Sequence, residues 1–208
     1  PGDDEHFLIN PYGLHYTEVK ASNLVKVDIQ GNKVDDSPYA VNPAGLVIHT
    51  AIHAARPDIH CIAHTHTTEG MAVACSQGGL RTDNFYSALL NNRIAYHDFE
   101  GITVMDDEKP RLIKSLEDKN ILILRNHGLL VGGRSIPEAF QTMWGLQRAC
   151  EVQVATDATG KAPIPINDEV LAKTAQLLNL QAMGGPAGGL EFDALTRVIA
   201  KIDPSYKE

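Results

Sequence analysis

The sequence predicts a mixed α/β layered domain with a C-terminal helical tail, and three observations predict it. Short apolar segments come early, at residues 7–9 and 25–29, the second alternating with period two. Helical stretches with recognisable start signals alternate with later apolar strands, at residues 42–55 and 135–156. The chain then closes on two further helical stretches, 168–180 and 190–202, beyond a linker-like run at 160–165. Strands of one period interspersed with helices of another bury their apolar faces in layers. With 208 residues, 43% hydrophobic and 21% charged, one core of ordinary size is expected, burying roughly 70% of the unfolded surface. The organisation read from this is one domain over residues 1–160, and a tail over 161–208 packed on the same domain or on a neighbouring subunit.

In order along the chain, Phe7-Leu8-Ile9 reads as a strand ending at Asn10-Pro11-Tyr12-Gly13, where Pro pre-sets the second turn position and Gly relieves the fourth. Val25-Lys26-Val27-Asp28-Ile29 alternates, and Gln30-Gly31-Asn32 turns it toward Lys33-Val34, which predicts a hairpin with one buried face. Asn42 is an N-cap with Pro43 at the first helical position, and the helix runs to about Ala55, stopped by Arg56-Pro57-Asp58. Residues 59–63 read as a strand, Gly78-Gly79 as a break and 111–119 as a helix. Ile121-Leu122-Ile123-Leu124 is apolar enough to be covered on both faces, hence central. Ser135, Pro137 and Glu138 spell a capping box opening a long helix to about Thr156. The last two helices are separated by Gly184-Gly185-Pro186-Ala187-Gly188-Gly189.

Several function classes are excluded early. The 26 acidic residues exceed the 18 basic ones, for a net charge of −8, and no basic stripe exists to neutralise phosphate backbones or anionic lipid. Neither nucleic acid nor a membrane surface is expected as a partner. No apolar run approaches the ~20 residues of a bilayer span. The opening PGDDEHFLIN lacks both the charged and the apolar parts of a signal peptide, and because it begins at Pro1 the true start of the chain is expected to be missing. Cys61, Cys75 and Cys150 are an odd set without CxxC spacing, which predicts reduced thiols and a cytoplasmic protein. GxGxxG, GxxxxGKS and GxSxG are absent. The Gly-rich run at 184–189 contains Pro and follows a helix rather than a strand, so nucleotide binding has no support.

Nine histidines direct attention to metal chemistry. His64 and His66 stand two apart at a strand end, so extended backbone sends both imidazoles to one side. His127, in Arg125-Asn126-His127-Gly128, follows the apolar 121–124 strand, where Gly allows a close turn. Three histidines at two strand ends fit a catalytic divalent-metal site, which uses three protein ligands and keeps a position open. One ion with bonds of about 2.1 Å cannot bridge nitrogens more than roughly 6 Å apart, which sets the geometric condition. His49 and His53, at i and i+4 on the 43–55 helix, form a rival pair, but the Glu of HExxH is missing and packing is the expected role. His60 and His97 read as surface or satisfied core residues, and Cys61 as a core thiol. Among acids, Glu69 lies three residues past His66, and Asp98 and Glu100 lie in Tyr96-His97-Asp98-Phe99-Glu100-Gly101. Each is a candidate fourth ligand or general base.

At Asn42-Pro43 through His64-Thr65-His66-Thr67, and again at Leu124-Arg125-Asn126-His127-Gly128, the chain resembles the class II aldolase/adducin family. The similarity runs from about Phe7 to Gly160. It is closest to the adducin-like branch, through Glu5-His6-Phe7-Leu8-Ile9, Thr17-Glu18-Val19-Lys20-Ala21-Ser22, His53-Ala54-Ala55-Arg56-Pro57-Asp58 and Arg148-Ala149-Cys150-Glu151. The resemblance implies a three-layer α/β/α sandwich around a mostly antiparallel central sheet, assembled as a tetramer with sites between subunits. It also implies that the HxH pair and the later NHG histidine bind zinc or another divalent metal, which polarises a hydroxy-ketone so that an enediolate can form. Carried across, those ligands are His64, His66 and His127.

The sequence departs from the family pattern at two places. Where the family's aldolases carry a catalytic Glu in a Ser-Ser-Glu run, this chain has Pro43-Ala44-Gly45, and the Thr-Gly turn that helps bind substrate phosphate is here Tyr12-Gly13. Adducins carry a basic C-terminal tail and lack the three-histidine set, whereas this chain keeps the histidines and ends in the acidic-to-neutral stretch 190–208. The expectation is a cytoplasmic, divalent-metal-dependent lyase-like enzyme, with zinc as metal and iron, manganese or cobalt as alternatives. Its substrate is a small carbonyl or hydroxy-acid compound without phosphate, and Glu69, Glu100 or a neighbouring subunit's residue moves the proton. Carbon–carbon cleavage, decarboxylation, epimerisation and, with iron, oxygenation share that demand. The alternative is a non-catalytic, adducin-like assembly module.

Overall fold

Capped helices and apolar strands appear largely where local chemistry demands them. In the computed structural model, which describes residues 5–182 and 187–208, the chain runs β1 (His6–Ile9), β2 (Val25–Asp28), α1 (Pro43–Ala55), β3 (Cys61–Thr65), α2 (Thr68–Cys75), α3 (Phe85–Leu89), β4 (Ile94–His97), α4 (Lys109–Leu116), β5 (Ile121–Leu124), β6 (Gly128–Gly133), α5 (Ile136–Ala158), α6 (Asp168–Ala182) and α7 (Gly189–Ile202). The Gly184-Gly185-Pro186 part of the expected break and the opening residues 1–4 lie outside the described residues. Two compact units are formed. One contains the chain up to Asp58 with Glu100–Lys114 and Asp193–Glu208, the other Ile59–Phe99 with Ser115–Phe192.

In the first unit β1 and β2 pair antiparallel, Phe7 opposite Val27. Ile9, Val25 and Val27 form a small core with Phe7, Tyr39, Val41 and Leu46. Alternation in β2 buries Val25 and Val27 and leaves Lys26 and Asp28 at the rim. The hairpin toward Lys33 is reduced to a bridge between Val27 and Lys33. Helix α1 has the bounds its signals prescribe: Asn42 Oδ1 accepts the Ala44 N–H at 3.1 Å, and Pro43 occupies the first turn. His49 and His53 pack on Phe7, with ring centroids at 6.0 and 4.7 Å, the packing role expected of them.

The second unit holds a four-stranded sheet in the order β3-β6-β5-β4, antiparallel except for β4 with β5. Helices with a mixed sheet make the α/β class read from the sequence. Ile121, Ile123, Leu129 and Val131 enter one core with Ala139, Met143, Leu146, Ala149 and Cys150 of α5 and Val73 and Ala74 of α2. Leu122, Leu124 and Leu130 on the other sheet face are buried too, so the expectation for residues 121–124 holds. Gly70 allows α2 to lie on β6: a Cβ there would stand 2.8 Å from Leu129 Cδ1 and 2.6 Å from Thr67 Oγ1. Helix α3 packs on α5, and α6 on α3.

Local expectations need three corrections. The strand expected at 59–63 is Cys61–Thr65, because Ile59 fills the space over Gly132, where an added Cβ would lie 2.7 Å from Ile59 Cδ1. The helix expected at 111–119 is Lys109–Leu116 and stops at Glu117, whose φ is +51°. The capping box is half made: Ser135 Oγ accepts the Glu138 N–H at 3.3 Å, but the Glu138 carboxylate takes the Arg134 N–H and guanidinium, both at 3.1 Å. A charged partner one residue upstream outcompetes the neutral amide.

Candidate metal centre

Two neighbouring strands build the site. In β3, His64 pairs with Leu130 and Thr65 with Leu129. Strand alternation turns Thr65 toward α5, where its hydroxyl meets Met143 Sδ at 3.5 Å, and turns His64 the other way. His66 follows the last paired residue.

The third histidine arrives on the β5–β6 hairpin. The His127 N–H donates to the Leu124 carbonyl at 3.1 Å, closing a turn whose third residue, Asn126, has φ +57°. That position wants Gly or Asn. The loop is pinned at its neighbours: the Arg125 N–H donates to the His97 carbonyl at 2.8 Å, the Asn126 N–H to the Ala74 carbonyl at 3.2 Å, and the Arg125 guanidinium lies 4.5 Å from the Tyr96 ring centre. Gly128 then lets the hairpin meet β3 closely. A Cβ there would stand 2.4 Å from the Thr65 carbonyl oxygen, 3.0 Å from His66 Cδ2 and 3.4 Å from His64 Cε1.

The result is a triangle of imidazoles. Ring centroids are 4.6 Å apart for His64 and His66, 4.9 Å for His64 and His127, and 4.8 Å for His66 and His127. One nitrogen from each lies within 4.8 Å of the others, inside the condition set above. Among the described residues this is the one cluster of three or more His, Cys, Asp or Glu side chains able to hold a metal ion. His64 Nδ1 lies 2.8 Å from the Leu129 carbonyl, an acceptor only, so Nδ1 carries the proton and Nε2 the lone pair. That lone pair points at His66 Nε2, 2.7 Å away. Two ring nitrogens turned on one point, with the tautomer of one set by a backbone carbonyl, fit a divalent cation. Phe99 stands edge-on to His127 at 6.4 Å.

The expected acids fare differently. Glu69, in the first turn of α2, is half-buried and accepts the Gln147 Nε2–H at 3.2 Å. Glu100 belongs to the other unit, where Arg111 holds both its oxygens, at 2.6 and 2.8 Å. Asp98 is exposed, 3.8 Å from Arg125 Nε. His97 is a satisfied core residue, with Nδ1 2.9 Å from Ser115 Oγ, and His60 is exposed. Cys61 packs against the core and its thiol pKa is raised by burial, whereas Cys75 is exposed. Sequence reasoning missed Gln147, which contacts Thr67 and Glu69. A polar residue on a mostly apolar helix face was its one available signal.

Comparison with known proteins follows the same lines. The pattern described as Class II Aldolase and Adducin N-terminal domain matches residues 2–154. The chain belongs to the class II aldolase and adducin family. A family member from Pseudomonas syringae, solved as an aldolase II superfamily protein, superposes with a TM-score of 0.92 at 44% identity, covering 100% of this chain and 83% of that one. An L-fuculose 1-phosphate aldolase from Glaciozyma antarctica superposes with a TM-score of 0.85 at 30% identity, covering 100% and 80%. Alpha-adducin from Rattus norvegicus is 48% identical over 164 residues, which are 77% of this chain and 22% of that protein.

The triad also predicts a pH response. Burial, then the neighbouring charges of His127 and His66, pull the His64 pKa down from 6.5 to about 4, against the Leu129 carbonyl, which raises it. In metal-free protein the unfolded chain therefore takes this proton more readily than the folded one between about 6.5 and about 4, and stability falls as pH drops through that window. Proton NMR titration of the metal-free protein should show the His64 ring shifting near pH 4. A midpoint at its ordinary value contradicts the arrangement.

Proposed function

We propose that this family member is a divalent-metal-dependent lyase-like enzyme acting on a small, non-phosphorylated carbonyl or hydroxy-acid compound. The observation that supports it is the convergence of His64, His66 and His127, one nitrogen of each within 4.8 Å of the others. Family members of the aldolase type are generally divalent-metal dependent, and three imidazoles suit zinc, with iron, manganese and cobalt as alternatives. A divalent cation held there supplies Lewis-acid polarisation of a carbonyl or hydroxyl oxygen.

The chain's own residues supply the rest. The Leu129 carbonyl keeps the His64 lone pair on Nε2, and Phe99 offers an apolar edge beside His127. We assign proton movement to Glu69 in preference to Glu100. Glu69 shares the triad's unit and takes a hydrogen bond from a neutral amide, whereas both oxygens of Glu100 are engaged by the Arg111 guanidinium.

The substrate class follows from the first turn of α1. Pro43-Ala44-Gly45 stands where the family's Ser-Ser-Glu is expected, and it offers neither a side-chain proton acceptor nor a hydroxyl. Loss of a positioned base costs about 10²–10⁴ in rate. A remote phosphate also contributes orienting energy only where donors capture it. The Glaciozyma antarctica relative is named for a phosphorylated ketose, and this run argues against the same substrate here. A second reading, an adducin-like assembly module, draws on the 48% identity to alpha-adducin. We read the compartment as cytoplasmic from the three free thiols. Among the described residues no helix is long and apolar enough to cross a membrane.

The deciding experiment is metal analysis of purified protein, followed by a screen of hydroxy-ketones, keto acids and aldehydes with each metal. Turnover that is abolished by a chelator and by His127→Ala is expected. In a coupled aldehyde-release assay, fuculose, rhamnulose and ribulose phosphates should give no turnover near the enzymatic range. Rates of about 1–10³ per second on any of them would overturn the substrate class. Protein that carries no metal and turns over nothing would favour the assembly module.

We also propose a homo-tetramer in which the 161–208 tail reaches a neighbouring subunit. In α7, Leu190, Leu195, Val198 and Ile199 are exposed along one helical stripe, while Phe192 packs on Phe140 at 5.6 Å. Sedimentation at micromolar concentration should show the tetramer, and replacing Leu195 and Ile199 by Glu should dissociate it. A monomeric wild type would leave the stripe without that role.

A further inference from the structure

We infer that Gln147 is a positioning residue of the metal centre, and that it acts by fixing the segment on which His66 stands. The inference rests on reading the histidine triad as a metal site.

The three ligands are unequally secured. His64 sits inside the β3–β6 ladder and bonds the Leu129 carbonyl. His127 lies in a hairpin turn pinned through Arg125 and Asn126. His66 is past the last ladder pair and is the most exposed of the three. Its backbone needs another anchor, because a ligand whose main chain drifts cannot present its nitrogen at a fixed point.

The residues just beyond His66 supply that anchor. Thr67 occupies the N-cap position of α2 in extended conformation, φ −67° and ψ 150°, yet its side chain makes no cap hydrogen bond. Its hydroxyl donates instead to Gln147 Oε1 at 2.5 Å. The same amide donates from Nε2 to Glu69 Oε2 at 3.2 Å and to Glu151 Oε1 at 2.9 Å. Arg148 pairs with Glu151 from the other side. The junction demands one acceptor and two donors on one side chain, which a primary amide provides and a carboxylate does not.

Periodicity explains why α5 can do this. With Cys61–Thr65 in a strand and Thr67 extended, His64 and His66 meet at their Nε2 atoms while Thr65 and Thr67 both face α5. Met143 and Gln147, one helical turn apart on α5, meet Thr65 and Thr67 in that order. Helix α5 is itself held by buried Ala139, Leu146, Ala149 and Cys150. The threonines of His64-Thr65-His66-Thr67 are therefore the back of the site, and Gln147 is the point where the core grips it nearest His66.

The test uses the full chain with cobalt(II) as probe and compares wild type with Gln147→Met, which keeps length and loses all three hydrogen bonds, and with Thr67→Val. Affinity is read by chelator competition, and unfolding midpoints are read without metal. Gln147→Met should weaken cobalt binding about 10–100-fold, the usual cost of losing an outer partner of a metal site. The metal-free midpoint should move little, and the double variant should bind no more weakly than Gln147→Met alone, because the two groups act as a unit. Cobalt affinity within twofold of wild type overturns the inference, as does a loss that merely tracks a fall in the metal-free midpoint. Should Gln147→Met not fold, Thr67→Val reads the same contact alone. If wild type binds no cobalt, the metal reading fails separately. Positioning is then decided in metal-free protein by the NMR cross-peak between the His64 and His66 rings, whose loss in the variant supports it and whose retention overturns it.

Discussion

Everything at the candidate site depends on the antiparallel pairing of β3 with β6. The pairing places Thr65 opposite Leu129 and brings Gly128 so near the Thr65 carbonyl that no side chain fits between them. Three imidazoles from two distant stretches of sequence can converge only if the two strands approach at their ends as closely as this. Packing sustains the approach from below. Leu129 and Val131 of β6 lie in the core with Met143, Leu146 and Cys150 of α5, and interiors of that density transmit small displacements instead of absorbing them.

A single backbone carbonyl links this pairing to the chemistry. Leu129, a residue of the ladder, also accepts the proton on His64 Nδ1 and so decides which ring nitrogen keeps its lone pair. Strand register, tautomer and the direction of the donor atom are thereby one property. A slip of one residue would turn His64 toward α5 and Thr65 toward the triad, since side chains alternate with period two. The site is therefore as well determined as the sheet that carries it, with the segment beyond His66 tied to α5 through Thr67 and Gln147.

Features governed by near neighbours were legible in the sequence. Asn42 and Pro43 set the start of α1 and Arg56-Pro57 its end, because caps and proline act within one turn. Ile121-Leu122-Ile123-Leu124 announced a strand covered on both faces. His64-Thr65-His66 and His127-Gly128 announced a convergence, since period two and a tight turn are both local. Features decided by distant partners were not legible. The β3 strand begins two residues late because Ile59 is drawn over Gly132. The Glu138 carboxylate takes Arg134 in place of the Ser135 N–H, a choice between two near neighbours that charge decides. Gln147 shows in the sequence only as a polar residue on a mostly apolar helix face, which becomes informative when Thr67 and Glu69 are seen beside it. The family's Ser-Ser-Glu position is a different case. There the departure was readable as Pro43-Ala44-Gly45, and the structure adds that these residues form the first turn of α1.

The central claim is that His64, His66 and His127 together hold one divalent metal. X-ray absorption at the metal edge of protein loaded with one equivalent of zinc tests it most directly. The account predicts three imidazole nitrogens at about 2.1 Å in the inner shell, reduced to two in His127→Ala. A shell that contains sulfur, or one left unchanged by that substitution, would contradict it.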